Sequence, residues 1–287
     1  MAINIGLFVF ATSTTLDPAV LARHAEELGF ESFWVPEHPI IPVQTTSPYR
    51  GAPDGIIPDP YLRILDPFVA LARASAVTQT IKLGTGICLV PERNPLLLAK
   101  EVATLDHLSG GRFLFGIGAG WLKEETEIMG GDFPHRWTQT RDAILAMKEL
   151  WTRNEAEYHG QYYHFPPVRS FPKPVQKPHP PVFLGGTARQ AFQRVVEWGD
   201  GWMPNRITAE DIRRGRSVLN ELAEQAGRDP DTIEVLAFGF GNQFRSREAV
   251  QELQEAGANR VTIWLNQTEG GAALTEMDEI ARQVLPA

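Results

Sequence analysis

Short apolar runs alternate with helix-like stretches eight times along this chain, and the clearest join lies at its centre. Residues 81–90 (IKLGTGICLV) read as a buried strand, and Asn94-Pro95 opens a helix that runs to Leu108. Ser109-Gly110-Gly111 stops it, residues 112–117 (RFLFGI) form the next strand, and Gly118-Ala119-Gly120 follow. Strand, helix and strand in this order make a βαβ unit, with parallel strands and a right-handed crossover. Glycines gather where the strands end, and parallel folds of this kind bind ligands at the C-terminal ends of their strands.

The other elements follow in the same alternation. Residues 3–10 are the first strand, Asp17-Pro18 open a helix closed by Gly29, and residues 32–36 (SFWVP) are the second strand. A long excursion rich in Pro and Gly occupies residues 39–65, and a loop of that length is functional or mobile. Asp66-Pro67 cap a second helix through Gln79. After Gly120 come a helical turn at 123–129, a helix at 138–151, and a hairpin with a Pro-rich strap at 155–177. Strands at 181–184, 201–203, 232–240 and 260–265 then alternate with helices at 187–198, 208–225, 246–256 and 275–284. The strand runs are almost continuously apolar, as expected of parallel strands covered on both faces. Eight of them in 287 residues predict one (β/α)8 TIM barrel over residues 1–287, a fold that takes about 250 residues. The insertions fall after strand two and before strand five. An open dinucleotide-binding sheet fits less well, because residues 3–10 lead into ATSTT with no G-x-G-x-x-G turn.

Composition narrows the function classes. A formal net charge of −8 disfavours sequence-independent nucleic-acid binding, which runs on basic patches. A single cysteine, Cys88, excludes an intramolecular disulfide and a Cys-rich zinc site and reads as a small core residue. No apolar run approaches the roughly 18 residues of a membrane span. The chain enters its first strand without a basic leader, so a cytoplasmic protein is expected.

The strand ends are poor in metal ligands, and Lys82 stands at the wrong end of its strand for Schiff-base chemistry. What they offer is glycine backbone, aromatics and the pair Glu37-His38. Such a rim suits a large planar cofactor that carries its own chemistry. His38 could donate a hydrogen bond or move a proton, and Glu37 could orient it or titrate. Alternatively His38 binds a loop carbonyl and Glu37 pairs with an arginine; adjacent strand residues point opposite ways, so both reach the site only through a twist. Gly185-Gly186-Thr187 precede a helix, where free N–H groups and the Thr187 hydroxyl can hold a phosphate; the alternative is a tight turn with Thr187 as N-cap. Gly118, Ala119 and Gly120 could let a cofactor lie against backbone, or merely pack strand on helix. Arg136, Arg141, Arg169 and Arg206 are candidates for an anionic tail. Trp121, Trp137 and Trp202 could wall a pocket or fill the core. His159 and His164 sit in the hairpin, away from any metal-ligand pattern.

WVPEH at 34–38, LGTGICLVPERNPLLLAKEVATLDHLSGGRFLFGIGAGWLKEE at 83–125 and PKPVQKPHPPVFLGGTARQAFQRVVEWGDGWMP at 172–204 resemble the bacterial luciferase-like flavin and deazaflavin oxidoreductases. Within that superfamily the chain is similar to the branch that uses coenzyme F420. The resemblance implies a TIM barrel and hydride transfer at a deazaflavin ring, with FMN and monooxygenation as the alternative. A non-catalytic flavin- or deazaflavin-binding protein is a third reading. It also implies a non-prolyl cis peptide at Gly86-Ile87 behind the ring, with Gly86, Ile87 and Leu89 against the cofactor. A small-molecule substrate and a homodimer are expected on the same ground.

Overall fold

The structure is a computed structural model that describes residues 2–49 and 51–286; residues 1, 50 and 287, which the expected domain limits and the long excursion include, lie outside the described residues. In chain order the elements are β1 (Asn4–Val9), α1 (Pro18–Leu28), β2 (Ser32–Val35), α2 (Pro67–Ser75), β3 (Lys82–Thr85) and β4 (Cys88–Leu89). There follow α3 (Pro95–Leu108), β5 (Phe113–Gly118), α4 (Lys123–Ile128), α5 (Arg136–Thr152), β6 (Ala156–His159) and β7 (His164–Val168). The last third holds β8 (Val182–Leu184), α6 (Arg189–Trp198), β9 (Gly201–Trp202), α7 (Ala209–Gln225), β10 (Glu234–Phe238), α8 (Arg247–Glu255), β11 (Arg260–Leu265) and α9 (Gly270–Val284).

The helix starts follow from local chemistry. Asp17, Asn94 and Asp66 each turn a side-chain oxygen onto the first free N–H groups of α1, α3 and α2, and a proline fills the first position of each helix. Gly29 closes α1 at φ 94°, a left-handed conformation that a residue with a Cβ adopts at a cost.

The strands close into a cylinder. β1 pairs in parallel with β2 and β11, β2 with β3, β3 with β5, and β5 with β8, and β8, β9, β10 and β11 complete the circuit. The run at 81–90 is not one strand. It breaks at the cis Gly86–Ile87 peptide, and its second half, β4, continues along β5. Counting β3 and β4 as one position gives the eight-stranded parallel barrel with surrounding helices. β6 and β7 form an antiparallel hairpin outside it.

Alternation along the strands sorts the core into two layers. On β1, Leu7 and Val9 face the helices, while Phe8 faces the barrel interior with Trp34, Leu114, Phe183, Met203, Leu236 and Phe238. The N-terminal end of the cylinder is closed by Arg260, 1% exposed, which pairs with Glu31 and Glu234. Lys82 joins the same cluster through Glu31 at 3.2 Å, at the end remote from any site. No helix among the described residues is long and apolar enough to cross a membrane.

Candidate functional site

Above the filled interior, at the C-terminal rim, the side chains draw apart into a cavity of about 320 Å³. Its lining includes His38, Gly86, Ile87, Leu89, Gly118, Ala119, Gly120, Gly185 and Gly186, so the glycines read from the sequence converge on one space. Phe8, Phe10, Trp121, Trp137, Phe238, Phe240 and Trp264 make most of the remaining wall. A mostly apolar hollow with few convergent polar groups is the general form of a small-molecule site. Shared walls at Phe10, Tyr61, Phe240 and Trp264 lead into a second cavity of about 590 Å³, lined also by Thr12, Thr14, Tyr49 and Asn266. Tyr61 stands on a short 3₁₀ helix, Asp59–Arg63, inside the long excursion, which is how that segment reaches the rim. Burial and the neighbouring Tyr49 hydroxyl, 3.0 Å away, push the Tyr61 phenol above its ordinary pKa, so it stays a proton donor.

His38 is held from both sides. Its Nδ1 lies 2.6 Å from Oε2 of Glu125, and the Trp121 indole N–H donates to its Nε2 at 3.2 Å. An indole N–H can only donate, so Nε2 offers its lone pair and the ring proton sits on Nδ1, donated to Glu125. This is a neutral imidazole with a fixed tautomer and a basic nitrogen turned to the cavity wall. Glu125 is fully buried on α4.

Glu37 does not join it. Its Oε2 accepts the Leu89 N–H at 2.6 Å and its Oε1 accepts Arg93 Nε–H at 2.7 Å, and its side chain is 1% exposed. Glu37 therefore does not orient His38: the alternative of a Glu paired with an arginine holds, and Glu37 contributes to the cavity lining from that pair. Both residues lie just past β2, which ends at Val35, and both line the cavity; His38 reaches Glu125 and Trp121, while Glu37 ties this segment to Leu89 and Arg93. Arg93 spreads its charge over Glu37, Asp66 and Glu101. Neither Glu125 nor Arg93 was singled out from the sequence. Their only signals were position, in WLKEE after the glycine turn and in PERNP before a helix.

Thr187 is exposed and neither caps α6 nor lines the cavity. The helix begins two residues later at Arg189, with Ala188 at the N-cap and no side-chain cap. No side chain takes its first N–H groups, and the Ala191 N–H donates to the Ala188 carbonyl at 2.8 Å. Of the tryptophans, Trp121 and Trp137 wall the cavity, whereas Trp202 is buried and donates to the Gly186 carbonyl at 2.7 Å, holding that turn from behind. Arg136 donates to the Gly120 carbonyl at 3.1 Å, and Arg206 lies over the Phe240 ring, 4.3 Å from its centroid. Both stand at the rim. Arg169 pairs with Glu155 at the hairpin and Arg141 is exposed on α5, so neither is brought to the site. Cys88 is fully buried, and burial pushes its thiol well above the ordinary range.

The sequence profile described as luciferase-like monooxygenase matches residues 11–283. An uncharacterized protein of Mycobacterium tuberculosis is 41% identical over 226 residues, covering 78% of this chain and 79% of its own. The oxygenase component of a flavin-dependent trigonelline monooxygenase from Acinetobacter baylyi is 31% identical over 250 residues, 86% of this chain and 63% of its own. Among solved structures, the coenzyme F420-dependent tetrahydromethanopterin reductase of Methanopyrus kandleri superposes with a TM-score of 0.74 at 20% identity, covering 100% of this chain and 99% of that one.

Proposed function

Because the chain belongs to the luciferase-like monooxygenase family, we propose that it is an oxidoreductase that moves a hydride between the deazaflavin coenzyme F420 and a small organic substrate. The observation that carries this reading is the neutral His38 imidazole, fixed by Glu125 and Trp121, at the edge of an aromatic cavity. When bound, the cofactor supplies a ring carbon that gives or takes a hydride. The chain's own residues supply the rest. Ile87 forms the wall on which a flat ring lies, and Gly118 leaves it space: a Cβ there would stand 1.9 Å from Ile87 Cδ1. The glycine turn 185–186 and the start of α6, which has no side-chain cap, fit a phosphate, since the first N–H groups of a helix attract an anion.

The organic substrate occupies the adjoining chamber, between Tyr61 and Trp264. His38 Nε2 takes the proton from a substrate hydroxyl as the hydride leaves, or returns it in the reverse direction, and Glu125 stabilises the imidazolium that forms. Trp121 releases Nε2 as the substrate arrives. The aromatic walls exclude water from the hydride path. What supports the deazaflavin is the sequence resemblance to the F420 branch together with superposition along the whole chain on two F420-dependent enzymes, a match in length that a Streptomyces bottropensis monooxygenase shares. The sequence similarity to the flavin-dependent trigonelline monooxygenase component is the observation that favours FMN as the second reading.

Dissociation constants for F420 and FMN, measured side by side on the purified protein, test the choice. Tighter binding of F420, followed by substrate-dependent change in its absorbance without dioxygen, is expected. Preference for FMN with dioxygen-dependent turnover replaces the first reading by the second, and binding of neither removes both.

A further inference from the structure

The chamber beside the cofactor cavity has two chemically distinct sides. It shares Phe10, Tyr61, Phe240 and Trp264 with that cavity, whereas Asp59, Arg63, Asn266 and Glu269 line the chamber alone. On the shared side Phe10 stacks on Trp264 with ring centres 5.6 Å apart, and Tyr61 approaches Phe10 at 4.9 Å. A flat apolar body fits against these rings. The polar groups therefore stand at the end remote from the hydride path.

Asn266 is the first residue after β11, which places it on the C-terminal rim. Its Nδ2 donates to Oδ1 of Asn242 at 2.8 Å and to Oε1 of Glu276 at 3.2 Å. Glu276 stands on α9 and is 8% exposed; it is paired with Arg245 at 2.6 Å and accepts the Gln267 N–H. Arg245 in turn donates to the Trp264 carbonyl at 2.6 Å. A carboxylate paired in this way only accepts, so turning the amide over would set one oxygen against another. Both N–H groups of Asn266 are thus engaged, and what it has left to offer a ligand is the carbonyl oxygen Oδ1. A free amide serves donors and acceptors alike; this one is fixed as an acceptor.

The charges around it act in the same direction. Among the described residues of the lining, the carboxylates of Asp59 and Glu269 stand against the guanidinium of Arg63. Arg63 is taken by Asp59, through Nε at 2.8 Å and Nη2 at 3.3 Å. A carboxylate or phosphate on a ligand meets further oxygens here, whereas an O–H or N–H meets acceptors. We propose that Asn266 determines substrate specificity, its Oδ1 accepting a hydrogen bond from a hydroxyl or amino group that the substrate carries away from its reacting carbon. This rests on the hydride-transfer reading of the adjoining cavity, where His38 takes the reacting hydroxyl. The substrate class is then an alcohol with a flat apolar middle and a second donor at its far end.

The test is calorimetric titration of the full chain, with and without F420, using 1-phenylethanol probes that carry hydroxymethyl, aminomethyl, methyl or carboxylate in the para position. A donor-bearing probe is expected to bind about tenfold tighter than the methyl probe, with the carboxylate weakest. Which of the two donor probes binds tighter tells a neutral partner from a cationic one. Asn266→Ala should bring the donor and methyl probes to within about twofold of each other while leaving the methyl probe's own affinity in place. A folded variant that weakens every probe and keeps the ratio overturns the assignment. So do three results on the unsubstituted chain, which need no variant: equal affinity for the methyl and donor probes, tightest binding of the carboxylate, or no binding of any probe in either condition. F420 binding without the donor preference sinks this proposal alone, and donor preference without F420 binding sinks the cofactor reading alone.

Discussion

Replacing Arg93 with Met removes the guanidinium on which Glu37 depends while keeping most of the side-chain length. The consequence can be worked from the four exposures involved. The Arg93 side chain is 16% exposed and that of Glu37 is 1%, whereas Asp66 and Glu101 are 43% and 30% exposed. Asp66 and Glu101 regain water when the cation is gone, and each such pair is worth about 0–1 kcal/mol. Glu37 cannot; only the Leu89 N–H and the weak Cys88 thiol donor remain to it. Removing one partner of a buried pair costs about 3–5 kcal/mol, and the partial exposure of Arg93 puts this case at the lower end, about 3 kcal/mol. Against a typical total of about 5–15 kcal/mol the protein still folds, with a midpoint shifted well below that of the unsubstituted chain in equilibrium urea unfolding. Glu37→Gln in the same background completes a double-mutant cycle, and a coupling of about 2 kcal/mol is expected because the second substitution removes the stranded charge. A single-variant loss below about 1 kcal/mol, or additive effects in the cycle, would refute the assignment of Glu37 to this structural role. Arg73→Met is the control: its partner Asp17 is 32% exposed, Arg73 itself 62%, and the loss should stay under about 1 kcal/mol.

Other outcomes follow from the same geometry. His38→Ala should lower turnover by about 100-fold or more with the fold intact by circular dichroism; unchanged turnover would leave His38 only a wall residue. Gly118→Ala brings a Cβ to 1.9 Å from the flexible end of Ile87, so it should weaken cofactor affinity more than stability, whereas Gly116→Ala meets the Thr85 carbonyl at 2.1 Å and should cost stability by about 1–3 kcal/mol or more. Parallel ligand titrations and thermal melts separate the two. Burial opposes ionisation of Glu26, but N–H donors from Ile81, Thr80 and Gln79 outweigh it and hold the carboxyl at about 2, below its ordinary 4.5. Its stabilising effect is therefore complete above pH 4.5 and fades as pH falls toward 2, so the stability gap between Glu26→Gln and the unsubstituted chain should shrink across that window in urea unfolding.

What could be read beforehand was local in the chain. Asp17-Pro18, Asp66-Pro67 and Asn94-Pro95 each announce a helix start through the side-chain oxygen and ring that the first turn requires, and each starts one. Apolar runs and glycine turns gave the barrel, and the glycines at 86, 118, 120, 185 and 186 pointed to the rim where the cavity lies. The misreadings have the same origin. At 187–189 the chain holds two plausible starts for α6, and the turn set by Gly186, at φ 102° and tied to Trp202, pushes the helix to the later one. At 81–90 the apolar pattern is uninterrupted, and nothing in it marks where the pairing along β5 is broken and resumed.

The partners of Glu37 and His38 were illegible for a different reason. Arg93 is 56 positions from Glu37, and Glu125 is 87 from His38; these bonds form only because closure of the barrel sets the ends of β2, β4 and β5 side by side. Two neighbours in sequence, just past the end of β2, thereby take different partners: Glu37 braces the rim through Arg93 and Leu89, and His38 joins Glu125 and Trp121. A pair that looks like a catalytic dyad in the chain is, in space, one half of an ion-pair clamp and one half of a Glu125–His38 couple. The acid that orients the imidazole therefore comes from the far side of the rim, on the segment that also carries Gly120 and Trp121. Any change of charge at Glu125 acts on His38 through a bond that sequence order conceals.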